Sequence, residues 1–377
     1  MVIHLIRNLL FLKSPNLESL RDEIDKIDSQ VVDLLNRRVR TATEIGKIKA
    51  KLGVDPYDPA REEQVFKKLV NLSTGPMRED SLKTIYREVI SASIALEREL
   101  VIGYLGPEAT FTHQAAIKNF GSTLEFRPLF DIPDVFRAVE RGDCDYGVVP
   151  IENSTEGAVN RSLDLLVESE LSIIAQVYLE VEHCLFSHSK LNELVEIKSK
   201  DQALAQCGDW LSSQLPSVKL TAVTSTAEAV RNCVSDDGVG AIASELAGRI
   251  HNVPLLKSGI QDKTNNTTRF LVVSRNALPR TKEAIYRTSL VVSLSDKVGA
   301  LQSALTPFSS RKINLCKIES RPSRRKTWDY FFFIDFIGHC EDEEVKSALN
   351  ELEKNCAYHK ILGSYPATST DKIVLEK

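Results

Sequence analysis

From Leu17 onward the apolar residues fall at Leu17, Leu20, Ile24, Ile27, Val31, Leu34, Ile45 and Ile48, a seven-residue repeat that binds this stretch into one long helix. Gly53 and Pro56 predict its end. A helix of about 36 residues is about 54 Å long, more than a small domain covers, so its apolar seam calls for a helix from a second subunit. The chain is therefore expected to form a homodimer or a higher homo-oligomer. Asp58 as N-cap and Pro59 at the first helical position open a second helix through AREEQVFKKL. A third is predicted from Glu79 to Leu100, with Leu82, Ile85, Val89 and Leu96 on one face. Residues 14–100 are expected to form an all-helical domain.

The texture changes at Val101, where strand-like runs (VIGYLG, YGVVPI, LSIIAQVYLEV, VGAIAS, RFLVV) alternate with helical patterns, predicting an α/β domain over residues 101–276. After a break around Leu278–Arg280, residues 287–366 read strand, helix, strand, strand, helix, strand. That βαββαβ order predicts a small ferredoxin-like unit. A chain of 377 residues has room for three such cores.

Charge and cysteine usage exclude several classes. With 48 basic and 52 acidic residues the net charge is −4, which offers no overall attraction to nucleic acid or membrane. The seven cysteines are scattered, without a C-x-x-C pair, against a disulfide framework or zinc site. A reducing, cytoplasmic setting without metal or cofactor is expected. The apolar opening Met1–Lys13 is interrupted by Arg7 and lacks a small-residue cleavage site before Pro15, against export. No run reaches the roughly 18 apolar residues of a membrane span.

The helical segment has no His or Cys between Leu5 and Thr112, so the commonest general base and the thiol nucleophile are missing from it. Arg38 instead occupies a seam position, and Lys49, eleven residues on, is rotated only about 20° from it. Arg21, seventeen residues before Arg38, points elsewhere and meets them only across a helix–helix interface. Taken singly, each is equally well a solvated heptad edge. Together LRDEIDKID, LLNRR, EIGKIK, DPAREE and SASIALE resemble the bacterial helical chorismate mutase family over residues 17–98. The resemblance implies that Arg21 of the partner subunit, Arg38 and Lys49 hold the two carboxylates and the ether oxygen of chorismate. By the same resemblance Asp58, Arg61, Glu62 and Ser93 complete the pocket. A Claisen rearrangement needs a compact conformer and stabilised charge on the breaking ether bond, and no proton transfer. Where many relatives place Gln as donor to the ether oxygen, this chain has Glu97, which donates only when protonated. Pairing of a surface Glu97 with Arg98 or Lys49 is the alternative.

Three words in the second unit carry chemistry: GYLGPEATFT at a strand-to-helix turn, VVPIENSTEGAVN at 148–160 and NNTTRFLVV at 265–273. None is a G-x-G-x-x-G or a P-loop, against dinucleotide binding and thus against a mutase fused to a dehydrogenase. In this order they resemble the prephenate dehydratase family, which implies two α/β lobes around a cleft, akin to periplasmic binding proteins. The resemblance implies Thr268 as donor to the leaving hydroxyl, with Arg269 and Asn153 or Ser154 orienting prephenate beside Glu152. Ser199, Gln206 and Ser225-Thr226 match the second lobe, although KSKDQALAQC lacks the His-Pro expected after the serine. Phe270 reads as core rather than substrate platform.

Gly299-Ala300-Leu301 at a helix start and Glu319-Ser320-Arg321-Pro322 after a strand resemble an ACT domain over 287–366. A glycine admits close backbone approach and a helix start offers N–H groups to an amino-acid carboxylate, the alternative being a glycine-turned loop and a surface hairpin; the resemblance implies that these seven residues bind phenylalanine as allosteric inhibitor. The expected sequence of reactions is chorismate to prephenate to phenylpyruvate. A solute-binding protein fits a two-lobed cleft, but the export signal it needs is nearly absent; a regulator with dead sites is opposed by the charged positions, of which only Glu97 departs from type.

Overall fold

The computed structural model describes residues 16–234, 237–281, 284–294, 297–322 and 330–368. Helix α1 (Leu17–Leu52) begins where Asn16 Oδ1 accepts from Ser19 N at 2.8 Å and ends at Gly53, whose φ of 66° a side chain would resist. None of its side chains is buried: Leu17 is 66% exposed and Ile48 58%. Helices α2 (Pro59–Leu72) and α3 (Glu79–Glu97) pack differently. Tyr57, Phe66, Ile90 and Ile94 share one apolar cluster with Ile102, Tyr104, Phe120 and Tyr146 of the next domain. The Tyr57 and Phe120 rings lie 4.7 Å apart, and Asn119 Nδ2 donates to Tyr57 Oη at 2.8 Å.

The α/β domain is built as two sheets. Strands β1 (Val101–Leu105), β2 (Glu125–Leu129), β3 (Tyr146–Asn153), β4 (Gly157–Ala158) and β5 (Ser172–Glu180) belong to the first lobe, with helices α4 (Phe111–Phe120), α5 (Ile132–Arg141) and α6 (Asn160–Glu168) between them. The chain then crosses to a second lobe: β6 (Cys184–Phe186), β7 (Glu196–Ser199), α7 (Asp201–Gln206), α8 (Gly208–Gln214), β8 (Lys219–Ala222), α9 (Thr226–Cys233), β9 (Val239–Ala243), α10 (Glu245–His251) and β10 (Leu255–Lys257). It returns as β11 (Thr267–Ser274), which inserts antiparallel between β3 and β5 in the order β2-β1-β3-β11-β5. The second sheet runs β10-β6-β9-β7-β8. The two crossovers are stapled side by side: Val181 N donates to Asn266 O at 2.7 Å and His183 N to Gln261 Oε1 at 2.9 Å.

The last unit, β12 (Tyr286–Leu294), α11 (Ala300–Ser310), β13 (Leu315–Pro322), β14 (Tyr330–Ile337), α12 (Glu343–Glu353) and β15 (Cys356–Pro366), has the expected βαββαβ order. Its antiparallel sheet is ordered β13-β14-β12-β15. It docks on the first lobe through Phe331, Phe333, Leu362 and Tyr365, which join Val149, Ile151, Leu163 and Leu271 in one core. At Gly363 a Cβ would lie 2.2 Å from Ile173 O, so only a bare backbone approaches this closely. The ferredoxin-like unit thus shares its core with the lobe it touches. The apolar opening Met1–Lys13 lies outside the described residues, among which no helix is long and apolar enough to cross a membrane. All seven cysteines are free thiols.

Candidate active sites

The crossing of α1 with α3 gathers the charges that the sequence singled out. Arg38 Nη1 donates to Ser93 Oγ at 3.0 Å, and Ser93 Oγ donates to Val89 O at 2.7 Å, which fixes the hydroxyl as an acceptor towards the arginine. Lys49 Nζ donates to Pro56 O at 2.9 Å. Glu97 lies across α1 where Gly46 leaves room: a Cβ there would be 2.6 Å from Glu97 Cγ and 2.7 Å from its Oε2. Burial pushes the Glu97 carboxyl up, with Lys49 opposing, and Oε2 has no hydrogen-bond partner among the described residues. A cavity of about 330 Å³ beside this crossing is lined by Arg38, Arg61, Lys68 and Tyr86 among others.

Three expected pocket residues have structural duties. Asp58 Oδ1 caps α2 by accepting from Arg61 N at 2.9 Å, and Arg61 Nη1 reaches Gln64 Oε1 at 3.2 Å. Glu62 is buried and paired with Arg87 of α3; burial raises its carboxyl although Arg87 works against that. Arg21 stands seventeen residues from Arg38 on a straight helix, about 25 Å along the axis, so one protomer cannot bring them together.

Between the two lobes lies a cavity of about 610 Å³, walled by Thr110 and Phe111 at the start of α4, Asn153, Glu156, His183, Gln206, Ser225, Thr226, Asn266, Thr268 and Phe270. Thr268 and Asn153 pair across β11 and β3, and Asn153 Nδ2 donates to Thr268 Oγ1 at 2.8 Å. Phe270 is core as expected, 2% exposed, while still lining this wall. Ser199 does not line the cavity: its fully buried hydroxyl donates to Ile242 O at 2.6 Å. Ser154 likewise closes the crossover, donating to Asn265 O and accepting from Thr267 N, each at 2.9 Å.

The expectation that Arg269 orients substrate is corrected by its placement. Neighbours on a strand face opposite ways, so with Thr268 in the cavity Arg269 projects to the far side of the sheet. There it is 3% exposed and donates to Gln176 (2.9 Å), Glu152 (2.9 Å), Asp335 (2.8 Å) and Tyr365 (2.7 Å). Glu152 is drawn away from the cavity with it, held by Arg269 and Lys317.

Family models match in three blocks: chorismate mutase type II over residues 20–98, prephenate dehydratase over 102–278 and ACT domain over 288–354. The bifunctional chorismate mutase/prephenate dehydratase of Aquifex aeolicus is 43% identical over 355 residues, spanning 93% of this chain and 98% of its own length. That of Pseudomonas aeruginosa is 39% identical over 357 residues, spanning 93% and 97%. This chain belongs to the bifunctional chorismate mutase/prephenate dehydratase family. The crystal structure of prephenate dehydratase in complex with L-Phe from Arthrobacter aurescens shares the fold with a TM-score of 0.65 and 31% identity, covering 74% of this chain and 100% of that one.

Both activities of a bifunctional chorismate mutase/prephenate dehydratase are therefore carried here, in phenylalanine synthesis, together with an ACT domain. In the ACT domain Gly299 takes φ 80° as the N-cap of α11, followed by Ala300 and the partly exposed Leu301, while Glu319, Ser320, Arg321 and Pro322 end β13. Arg321 is occupied: its guanidinium makes a two-pronged pair with Asp164 of α6. Sequence reasoning passed over Gly46, Arg87, His183, Glu156 and Asn266. Gly46, Glu156 and Asn266 stood inside the quoted words EIGKIK, VVPIENSTEGAVN and NNTTRFLVV, whereas Arg87 and His183 stood in none; for all five the side-chain partner lies 23 or more residues away, which leaves no local signal.

Proposed function

We propose that chorismate is rearranged at the α1–α3 crossing and prephenate is dehydrated between the two lobes, with phenylalanine as feedback inhibitor at the ACT domain. The observation that carries the reading is the Thr268 hydroxyl on the wall of the large interlobe cavity, already supplied with one hydrogen bond by Asn153. Prephenate loses carbon dioxide as its ring hydroxyl departs; the C–C electron pair goes to the new ring double bond and the C–O pair to the leaving oxygen, which departs as hydroxide and takes a proton from solvent to become water. Thr268 donates to that oxygen, and aromatisation supplies the driving force. Asn153 positions the Thr268 hydroxyl, and Gln206, with one amide hydrogen to spare, helps to hold the substrate. On the mutase side Arg38 and Lys49 hold chorismate, and Arg21 arrives from a second copy whose α1 covers the exposed seam. A monomer with full mutase activity in sedimentation would remove that role. The functional units are residues 14–100, 101–276 and 287–366, and free thiols fit a reducing cytoplasm.

Adding chorismate to the purified chain should give phenylpyruvate, at a dehydration rate that phenylalanine lowers. Prephenate accumulating without phenylpyruvate would refute the dehydratase reading, and unchanged chorismate the mutase reading.

Glu97 adds a pH signature. Its raised carboxyl donates to the ether oxygen only when protonated. Mutase turnover should therefore rise as pH falls through this raised pKa, and Glu97→Gln, a donor at all pH values, should flatten the profile. An unchanged profile in the Gln variant shows that the donor is elsewhere.

A further inference from the structure

Two peptide N–H groups fix the direction of the hydrogen bonds around Thr268. A backbone N–H only donates, so the Asn153 atom that receives Thr155 N at 2.9 Å and Glu156 N at 3.1 Å is the oxygen Oδ1. Nδ2 then faces the other way and spends its two hydrogens on Thr268 Oγ1 at 2.8 Å and Asn266 Oδ1 at 2.7 Å. Asn266 must turn its own Nδ2 to Gln206, whose Oε1 accepts at 3.2 Å. The orientation of Gln206 is fixed independently from its other end, because its Nε2 donates to the Glu156 carboxylate at 3.2 Å. Gln206 Oε1 also meets His183 Nε2 at 2.8 Å, so His183 carries its proton on Nε2 and leaves Nδ1 a bare lone pair. His183 is 2% exposed, and Nδ1 is buried without a partner among the described residues, as a bare acceptor tolerates better than an N–H does.

We propose that His183 and Asn266 are positioning residues for dehydration, the far end of a one-directional chain that makes Thr268 Oγ1 an acceptor towards Asn153 and so turns its own proton to the substrate. This rests on the reading of Thr268 as donor to the leaving hydroxyl. No described residue accepts the Thr268 proton, and the hydroxyl lines the cavity. The chain also spans the hinge: His183 and Asn266 sit on the two crossovers, Gln206 on the second lobe, and Asn153 and Thr268 on the first. One relation of the lobes thus satisfies every donor.

The parent protein, labelled with 15N-histidine, tests the tautomer directly. Two-bond 15N–1H correlations should show His183 neutral with its proton on Nε2, assigned by loss of that pattern in His183→Gln; a proton on Nδ1 overturns the proposal. Kinetics gives a second reading. His183→Leu should lower kcat for added prephenate by about 10- to 100-fold while KM changes by less than about threefold. His183→Gln, which returns an N–H near the place of Nε2, should recover most of that loss. Equal loss in the Leu and Gln variants with an unchanged unfolding temperature, or parental turnover in the Leu variant, overturns the proposal. If the variants do not fold, the tautomer decides. Full dehydratase activity in Thr268→Ala would instead sink the donor reading, with the tautomer result still standing.

Discussion

Arg38→Ala is expected to slow the mutase by about two to three orders of magnitude while added prephenate is dehydrated at the parental rate, and Thr268→Ala is expected to do the reverse. Arg38 is only partly buried and donates to Ser93, so its removal takes away a charge proposed to hold chorismate and disturbs no core. Thr268 gives up one hydroxyl that accepts from Asn153 and faces the interlobe cavity. The two positions share no hydrogen-bonding partner. Chorismate loss and phenylpyruvate formation, followed separately, read the two sites. Loss of both activities in either folded variant would refute the two-site reading.

Asp335→Ala is expected to cost about 3 to 5 kcal/mol of stability and to uncouple phenylalanine from the dehydratase. Its carboxylate accepts from Arg269 at 2.8 Å, from Arg287 at 2.5 Å and from Ser289, and all of these groups are buried. Burial alone would raise the Asp335 carboxyl; the two guanidinium groups outweigh it and hold it well below the usual carboxylate range. Without the carboxylate, the buried Arg269 and Arg287 lose the acid they share, and Glu152 still pairs with Arg269. The sign of the pH effect follows from the depressed pKa. The stabilisation is complete above the unfolded value of about 4 and is lost as pH falls through the folded value. Denaturant unfolding should therefore show a gap between the parent and Asp335→Asn that is constant near neutrality and closes in acid. A gap independent of pH would mean that the carboxylate is not ionised in the fold. Arg269 adjoins Thr268 in the chain, so any shift of the ACT sheet is expected to reach the cavity through one peptide unit. Phenylalanine inhibition persisting in a folded Asp335→Ala protein would exclude this route.

Much of the architecture was legible because it rests on local periodicity. The seven-residue apolar repeat gave α1 to within a residue of Gly53, and the change to strand-like runs at Val101 coincides with β1. The site was legible where each partner stands in a motif of its own, as with Asn153 and Thr268, 115 residues apart but each within a quoted word. It failed where a partner comes from another domain. Arg269 reads as a substrate ligand beside Thr268, but Asp335, which claims it, lies 66 residues on in the ACT sheet. Strand alternation was the available warning, since two adjacent side chains of β11 cannot both face one cavity. Ser199 shows the same limit differently: a buried hydroxyl bonded to Ile242 carries no mark that separates it from a ligand.

The apolar cluster that Tyr57, Phe66, Ile90 and Ile94 share with Ile102, Phe120 and Tyr146 makes the fusion of the two enzymes more than a tether. A protease or a gene truncation that cut near residue 99 would open this cluster on both fragments, and the hydrogen bond from Asn119 to Tyr57 would be lost with it. Each fragment would carry a sticky apolar scar where the other had been, a liability for solubility that point substitutions avoid. Gene fission in this lineage would thus require new polar surface on both products at once.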